Sequence, residues 1–327
     1  MSSPDLATKA PESDAYEGTS SPPPPYTSTS ASANPPLCDD CVTDRPTPAG
    51  QTTKGELTKL SDIDVYISKP STYPTTPSRL LLLLTGGTGL LSTNNQLQAD
   101  RFAEEGYVVV MPDLFAGDPA PNSKTAEEIA SESNSGSFLD LFKTKAAETA
   151  KSFMIDMWLA RHTEEKVLPI IKKVLEAAKD EFADAVTSGG GVYAVGYCFG
   201  GRYVLLLGQE KAVHHGGSGD EEANNAKTEG PWIKAGSLAH ATLVSTNDFL
   251  GLKVPVSFVS VESDPLFPDE VRTKGEDVMR ESGVEHEVQV YPAVPHGFAV
   301  VGEYEDANIK IAQATAFDQM LKWIQDH

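Results

Sequence analysis

Gly196-Tyr197-Cys198-Phe199-Gly200-Gly201 places a thiol among glycines, after the apolar run Val192 to Val195 and before Arg202-Tyr203-Val204-Leu205-Leu206-Leu207. The stretch reads as a strand, a sharp turn and a helix, the pattern of a nucleophile elbow with cysteine where serine more often stands. Small neighbours let the turn adopt a strained backbone. The positive end of the following helix biases a thiol there toward thiolate, the form that attacks a carbonyl carbon.

An elbow nucleophile requires an acid and then a histidine further along the chain, each just after a strand. Val254 to Val261 reads as a buried strand closed by Glu262-Ser263-Asp264-Pro265, which makes Asp264 the candidate acid. Val288 to Tyr291 alternates like a second strand, and the loop from Pro292 to Phe298 offers His296 as the candidate base. Taken singly, an Asp before Pro is a common turn residue, a His-Gly pair a common surface loop, and an internal Cys a small hydrophobe. Their shared order and strand-end positions join Cys198, Asp264 and His296 into one candidate site.

The elements needed to hold such a site are legible as well. Ile63 to Ser68, Leu80 to Thr85 and Tyr107 to Met111 read as strands, and Asn95 to Glu105 as a helix. Lys166 to Ala183 is amphipathic, with Val167, Ile170, Ile171, Val174, Leu175 and Phe182 on one face and Pro169 near its start. Ala235 to Val244 reads as a further strand, on which His240 either borders the pocket or, as the favoured expectation, is a satisfied core histidine. Residues 117 to 145 read as an excursion over the active site, and Lys211 to Gly230, with His214 and His215, as a solvated loop. Alternating strands and helices imply an α/β fold with a mostly parallel sheet covered on both faces.

With these motifs in hand, the chain resembles the dienelactone hydrolase family, the carboxymethylenebutenolidase branch of the α/β-hydrolases, and its fungal members more than its bacterial ones. The resemblance runs from about Cys38 to the C-terminus. It rests on the elbow together with Ala99-Asp100-Arg101-Phe102-Ala103, Pro112-Asp113-Leu114-Phe115-Ala116-Gly117-Asp118 and His296-Gly297-Phe298-Ala299-Val300. It implies an α/β-hydrolase fold and a Cys198-His296-Asp264 triad that cleaves an ester, lactone or thioester through an acyl-thioester. The backbone amides of Phe199 and Gly87 are then expected to hold the oxyanion, and Gly86, Tyr197 and Phe298 to border the substrate. No cofactor and no metal is expected.

Two departures from the family pattern bear on substrate. The family's acidic residue after the third strand is replaced by glycine in Thr85-Gly86-Gly87, and its arginine beyond the histidine by Ala299-Val300-Val301-Gly302. With no visible carboxylate anchor, poor activity on dienelactone itself is expected, unless Arg101, Arg202 or Arg272 substitutes.

Composition narrows the setting. The 327 residues are 39% hydrophobic and carry 47 acidic against 26 basic side chains, a net charge of −21. That surface repels phosphate backbones and anionic lipid, so the expected partner is a small-molecule substrate, with no nucleic acid and no membrane, on a monomer or small homo-oligomer. Residues 1–36 are rich in Ser, Thr and Pro and read as a disordered tail, with 37–327 as the catalytic domain. A targeting signal is not visible, which makes the cytoplasm the expected location. Cys38-Asp39-Asp40-Cys41 looks like half a metal site without a second half, so free thiols are expected. Two other readings of the chain are a redox-active protein, with Cys198 resolved by Cys38 or Cys41, and a non-catalytic binding protein on the same scaffold.

Overall fold

A computed structural model of the chain describes residues 37–121, 152–213 and 227–327. The expected tail 1–36, most of the excursion at 117–145 and the centre of the insertion at 211–230, including His214 and His215, lie outside the described residues.

Alternation along the strands assigns side chains to two cores. Leu80, Leu82 and Leu84 of β3 (Arg79–Leu84) point into one, and Leu81 and Leu83 into the other. The same division holds for β4 (Tyr107–Pro112) and β5 (Val192–Tyr197), so these strands are apolar at nearly every position, as strands buried on both faces must be. With β1 (Glu56–Leu60), β2 (Ile63–Ser68), β8 (Ala235–Ala239), β9 (Val256–Val261) and β10 (His286–Tyr291) they form one sheet in the order β1-β2-β4-β3-β5-β8-β9-β10. Pairing is antiparallel for β1 to β2 and β2 to β4, and parallel from β4 to β10. The remaining strands, β6 (Lys211–Val213) and β7 (Lys227–Glu229), pair as a ribbon at the base of the insertion read as a loop.

Helices cover both faces. On one side lie α2 (Thr93–Glu104) and α8 (Ala307–Asp326), which contribute Phe102, Phe317, Met320 and Ile324. On the other lie α3 (152–161), α4 (Glu164–Glu181), α5 (Ala183–Gly189), α6 (Phe199–Gly208) and α7 (Asp269–Glu281). A short turn of helix, α1 (Asp39–Val42), precedes them all. Because α4 begins at Glu164 rather than Lys166, Pro169 falls in its second turn, where it withholds one backbone donor. The strand expected at 235–244 ends at Ala239, since His240 takes φ 36° and turns the chain.

The parallel strands bring the ends of β3, β5, β8, β9 and β10 to one edge. The turn after β5 is packed so closely that a Cβ on Gly200 would lie 2.3 Å from the Leu84 carbonyl oxygen, and one on Gly196 2.6 Å from the Gly200 carbonyl oxygen. Gly200→Ala is therefore expected to lower stability by about 3 kcal/mol, the upper end for overpacking, read as a shifted urea midpoint at unchanged slope.

Candidate functional site

Cys198 caps α6 with φ 49° and ψ −115°, a conformation that L residues adopt only under constraint. The constraint is a set of hydrogen bonds: its amide donates to Ala239 O at 3.1 Å, its carbonyl accepts from Thr242 N at 3.1 Å, and Gly200 N donates to Thr85 O at 3.0 Å. These bonds tie the turn to the ends of β3 and β8. The thiol is 3% exposed.

Asp264 follows β9, where Leu266 N donates to its Oδ1 at 2.9 Å. Its other oxygen, Oδ2, lies 2.7 Å from Nδ1 of His296, which sits in the loop between β10 and α8 and is 8% exposed. With Nδ1 taken, Nε2 is the nitrogen left to face the thiol, and it is buried without a hydrogen-bond partner. The Cys41 and Cys198 sulfurs and a His296 ring nitrogen all lie within 4.8 Å of one another.

Charge is redistributed across this group. Burial opposes the His296 charge, but the Asp264 carboxylate and the Cys198 sulfur outweigh it and raise the imidazole to about 10. Burial likewise opposes a thiolate at Cys198, yet the Cys41 thiol, His296 and the Phe199 amide together hold it well below the usual thiol range. A thiolate beside an imidazolium is the resting pair these shifts describe. Cys41 moves the opposite way, pushed up by its hydrogen bonds to Cys198 and Cys38 and by burial. Cys38, half-buried with its sulfur 3.3 Å from that of Cys41, falls to about 7, chiefly through the Cys41 hydrogen bond.

Two groups stand near the thiol besides the Asp264 and His296 candidates. The strap Leu37 to Pro46 lies over the site: Asp40, Cys41, Thr43, Asp44 and Arg45 line the pocket, and the Cys41 carbonyl would stand 2.8 Å from a Cβ on Gly87. Leu37, Cys41 and Val42 anchor the strap in the core. Polar bonds hold the rest: Ser92 Oγ to Asp44 at 2.8 Å, Asn94 Nδ2 to Arg45 O at 2.7 Å, and Glu303 N to Pro46 O at 2.8 Å. Apolar Leu37, Cys41 and Val42 at the end of a polar tract are the sequence signal that could have shown this. The second group is His240, whose ring centroid lies 5.0 Å from that of His296. It is buried with neither nitrogen hydrogen-bonded, so it is not the satisfied core histidine expected. Burial, then the His296 charge, hold it neutral, well below the ordinary histidine range.

Other expected residues divide between the site and its surroundings. Gly86 borders the thiol, where a Cβ would come within 3.7 Å of the Cys198 sulfur, and Tyr197 lines the pocket with its hydroxyl accepting from Gln98 at 2.9 Å. Gly87 faces the strap and Ala120. Phe298 does not line the pocket: it is fully buried against Tyr291 and His240. The three arginines considered as anchors point elsewhere. Arg202 pairs with Asp248 and Glu164, Arg272 with Asp269 and Glu276, and Arg101 stacks on Phe317. The arginine that lines the pocket is Arg45, bound to Asp40 at 2.6 Å and stacked over Tyr304.

A mostly parallel sheet wrapped by helices, with a strained cysteine at the tip of the turn after β5, defines an α/β-hydrolase fold. The dienelactone hydrolase family model matches residues 63–327, and the chain belongs to that family. It is thus a carboxylic ester hydrolase. Among relatives, it is 30% identical to hydrolase tropI of Talaromyces stipitatus over 84% of this chain and 91% of that one. It is 29% identical to hydrolase pyvD of Aspergillus violaceofuscus, again over 84% and 91%. A thermophilic esterase from Thermogutta terrifontis, solved with propionate bound, shares the fold at a TM-score of 0.53 and 14% identity, over 84% of this chain and 96% of that one. Among the described residues no helix is long and apolar enough to cross a membrane.

The opposed shifts separate two pH effects. A lowered Cys198 makes its thiolate available through neutral pH and loses it on acidification, whereas a raised His296 stays protonated until pH passes about 10. Alkylation of Cys198 by iodoacetamide is expected to fall only on the acid side, while kcat/KM for an ester falls on both sides, the alkaline limb lying near 10. Asp264→Asn should move that alkaline limb to lower pH, because it removes the carboxylate that favours the imidazolium.

Proposed function

We propose that this chain hydrolyses a small, uncharged ester, lactone or thioester by two acyl transfers through Cys198, His296 and Asp264. The observation that carries the reading is the Cys198 thiol at a strained elbow, facing a buried His296 whose far nitrogen is bound to Asp264 at 2.7 Å.

The Cys198 thiolate attacks the carbonyl carbon, and the carbonyl π electrons move to oxygen. In this reading Phe199 N, the first amide of α6, and an amide of Gly86-Gly87 donate to that oxygen. Collapse re-forms the carbonyl and expels the alcohol or thiol, which takes its proton from His296. The acyl group now sits on sulfur and His296 is neutral. It removes a proton from water as that water attacks the thioester, and collapse returns the thiolate and the imidazolium and frees the acid. Asp264 holds the ring tautomer throughout, and no step calls on a cofactor. The free thiols suit a reducing compartment, for which the cytoplasm is the natural proposal.

Arg45 bears on substrate charge. Its guanidinium is already engaged by Asp40, and Asp44 also lines the pocket, so an anionic substrate meets two carboxylates and a neutralised cation. Dienelactone, which carries a carboxylate, is therefore expected to be a poorer substrate than a neutral short-chain ester.

Release of p-nitrophenol from p-nitrophenyl acetate tests the reading. Cys198→Ala is expected to abolish turnover, and Asp264→Asn to lower kcat by about 10³ to 10⁴. Equal rates for wild type and Cys198→Ala would discard the triad. In the same assay, kcat/KM for dienelactone should fall below that for p-nitrophenyl acetate, and a reversed ratio would remove the charge argument.

A further inference from the structure

The chain has three cysteines, at positions 38, 41 and 198; the fold brings Cys41 and Cys198 to the imidazole of His296 and sets the Cys38 sulfur 3.3 Å from that of Cys41. The Cys38-to-Cys41 pair is half a metal site in sequence, and folding supplies the missing half from residues more than 150 positions away. Among the described residues, Cys41, Cys198 and His296 are the one group of three or more such side chains close enough to share an ion.

We propose that this pocket binds one zinc-class divalent cation through Cys41, Cys198 and His296, with Cys38 as fourth donor, and that the bound ion silences hydrolysis. The binding is independent of the function proposed above; the silencing rests on it, because the ion would occupy both the nucleophile and the base.

The donor set selects the metal. Two or three thiolates with an imidazole suit zinc and disfavour magnesium or calcium, which take oxygen. Zn–S distances of about 2.3 Å and Zn–N distances of about 2.0 Å place tetrahedral donors roughly 3.5 to 3.8 Å apart. The Cys41, Cys198 and His296 donors already lie within 4.8 Å of one another, so shifts of about an ångström bring these three to tetrahedral spacing, and Cys38 stands beside them with its sulfur 3.3 Å from that of Cys41.

The second observation is independent of the sulfurs. His296 Nε2 is buried and has no hydrogen-bond partner, while Nδ1 is pinned to Asp264 at 2.7 Å. A histidine whose outer nitrogen is held by a carboxylate, with the inner one presented toward thiols, is the arrangement that orients imidazole for zinc. Cys38 is half-buried beside this group. On coordination each thiol still protonated releases its proton to solvent, and the lone pair of each sulfur and of Nε2 is donated to the ion.

The test uses the full chain, kept reduced by a phosphine and freed of metal by chelation. Zn2+ is titrated against p-nitrophenyl acetate hydrolysis, and Co2+ against visible absorption. The expected result is one ion per chain, hydrolysis lost in proportion and restored by EDTA, and the ligand-field spectrum of a tetrahedral cobalt thiolate. Cys41→Ala should weaken Co2+ binding on the order of 100-fold, and Asp264→Asn about 10- to 100-fold. Circular dichroism checks that each variant is folded, and Cys38→Ala, at a half-buried position, serves if Cys41→Ala is not. Cobalt binding in a protein that hydrolyses no ester would leave the metal site standing and remove the triad. Three outcomes would overturn the site: no stoichiometric binding, unchanged affinity in both cysteine variants, or zinc-dependent loss of activity that EDTA fails to reverse.

Discussion

The lowered Cys198 thiol and the raised His296 imidazole favour opposite charges in a space largely closed to solvent, where each charge needs the other. Cys198 is 3% exposed and His296 8%, so each ion forfeits most of its hydration, a cost of several kcal/mol per ion that only close pairing and further hydrogen bonds offset. That constraint explains why the surrounding groups are so specific. Asp264 supplies the negative charge that keeps the ring protonated, and its own second oxygen is held by the Leu266 amide. The amino end of α6 and the Phe199 amide supply positive potential to the sulfur. Parallel strand ends are what bring these groups, drawn from distant parts of the chain, to one edge.

How much of this was legible in the sequence depended on whether a feature was local. The elbow, the strand before Asp264 and the loop carrying His296 are each written in short stretches, and the fold class follows from near-continuous apolar runs such as Leu80 to Leu84. Edges were harder to read. β1 is exposed at four of its five positions, so its alternation carries no apolar signal, and the strand at 235 stops at Ala239 because His240 turns with φ 36°, which its residue type does not announce. Phe298 shows the limit of transferring a motif. It adjoins the candidate base in sequence, yet the turn at Gly297, φ 84°, sends its ring into the core.

Local pattern offers only apolar Leu37, Cys41 and Val42 as a sign of the strap, since its polar contacts with the body are long-range. Ser92, Asn94 and Glu303 hold it through single hydrogen bonds to positions 44 to 46, contacts that no periodicity predicts. Its consequences are large all the same. It excludes water from the pair, which strengthens the attraction between the two charges, and it brings Cys41 and Arg45 into the pocket. The pocket thereby takes a thiol and a guanidinium from a single segment, residues 37–46.

Holding Cys41 protonated beside a thiolate has a chemical consequence of its own. A neutral thiol donates a weak hydrogen bond to the Cys198 sulfur, which lowers the basicity of the nucleophile and favours the pair without adding a third charge to a dry site. An acidic side chain in the same place would raise the thiol through like-charge repulsion and demand its own counterion. Cys41 is 2% exposed and packed among Leu37 and Val42, so that donor stays close to the sulfur only while the strap stays seated. Seating depends on apolar contacts at one end and a few partly buried hydrogen bonds at the other. The ionisation of Cys198 is thereby coupled to the docking of a segment remote from it in sequence, with the Cys41 hydrogen bond set against the burial that opposes the thiolate.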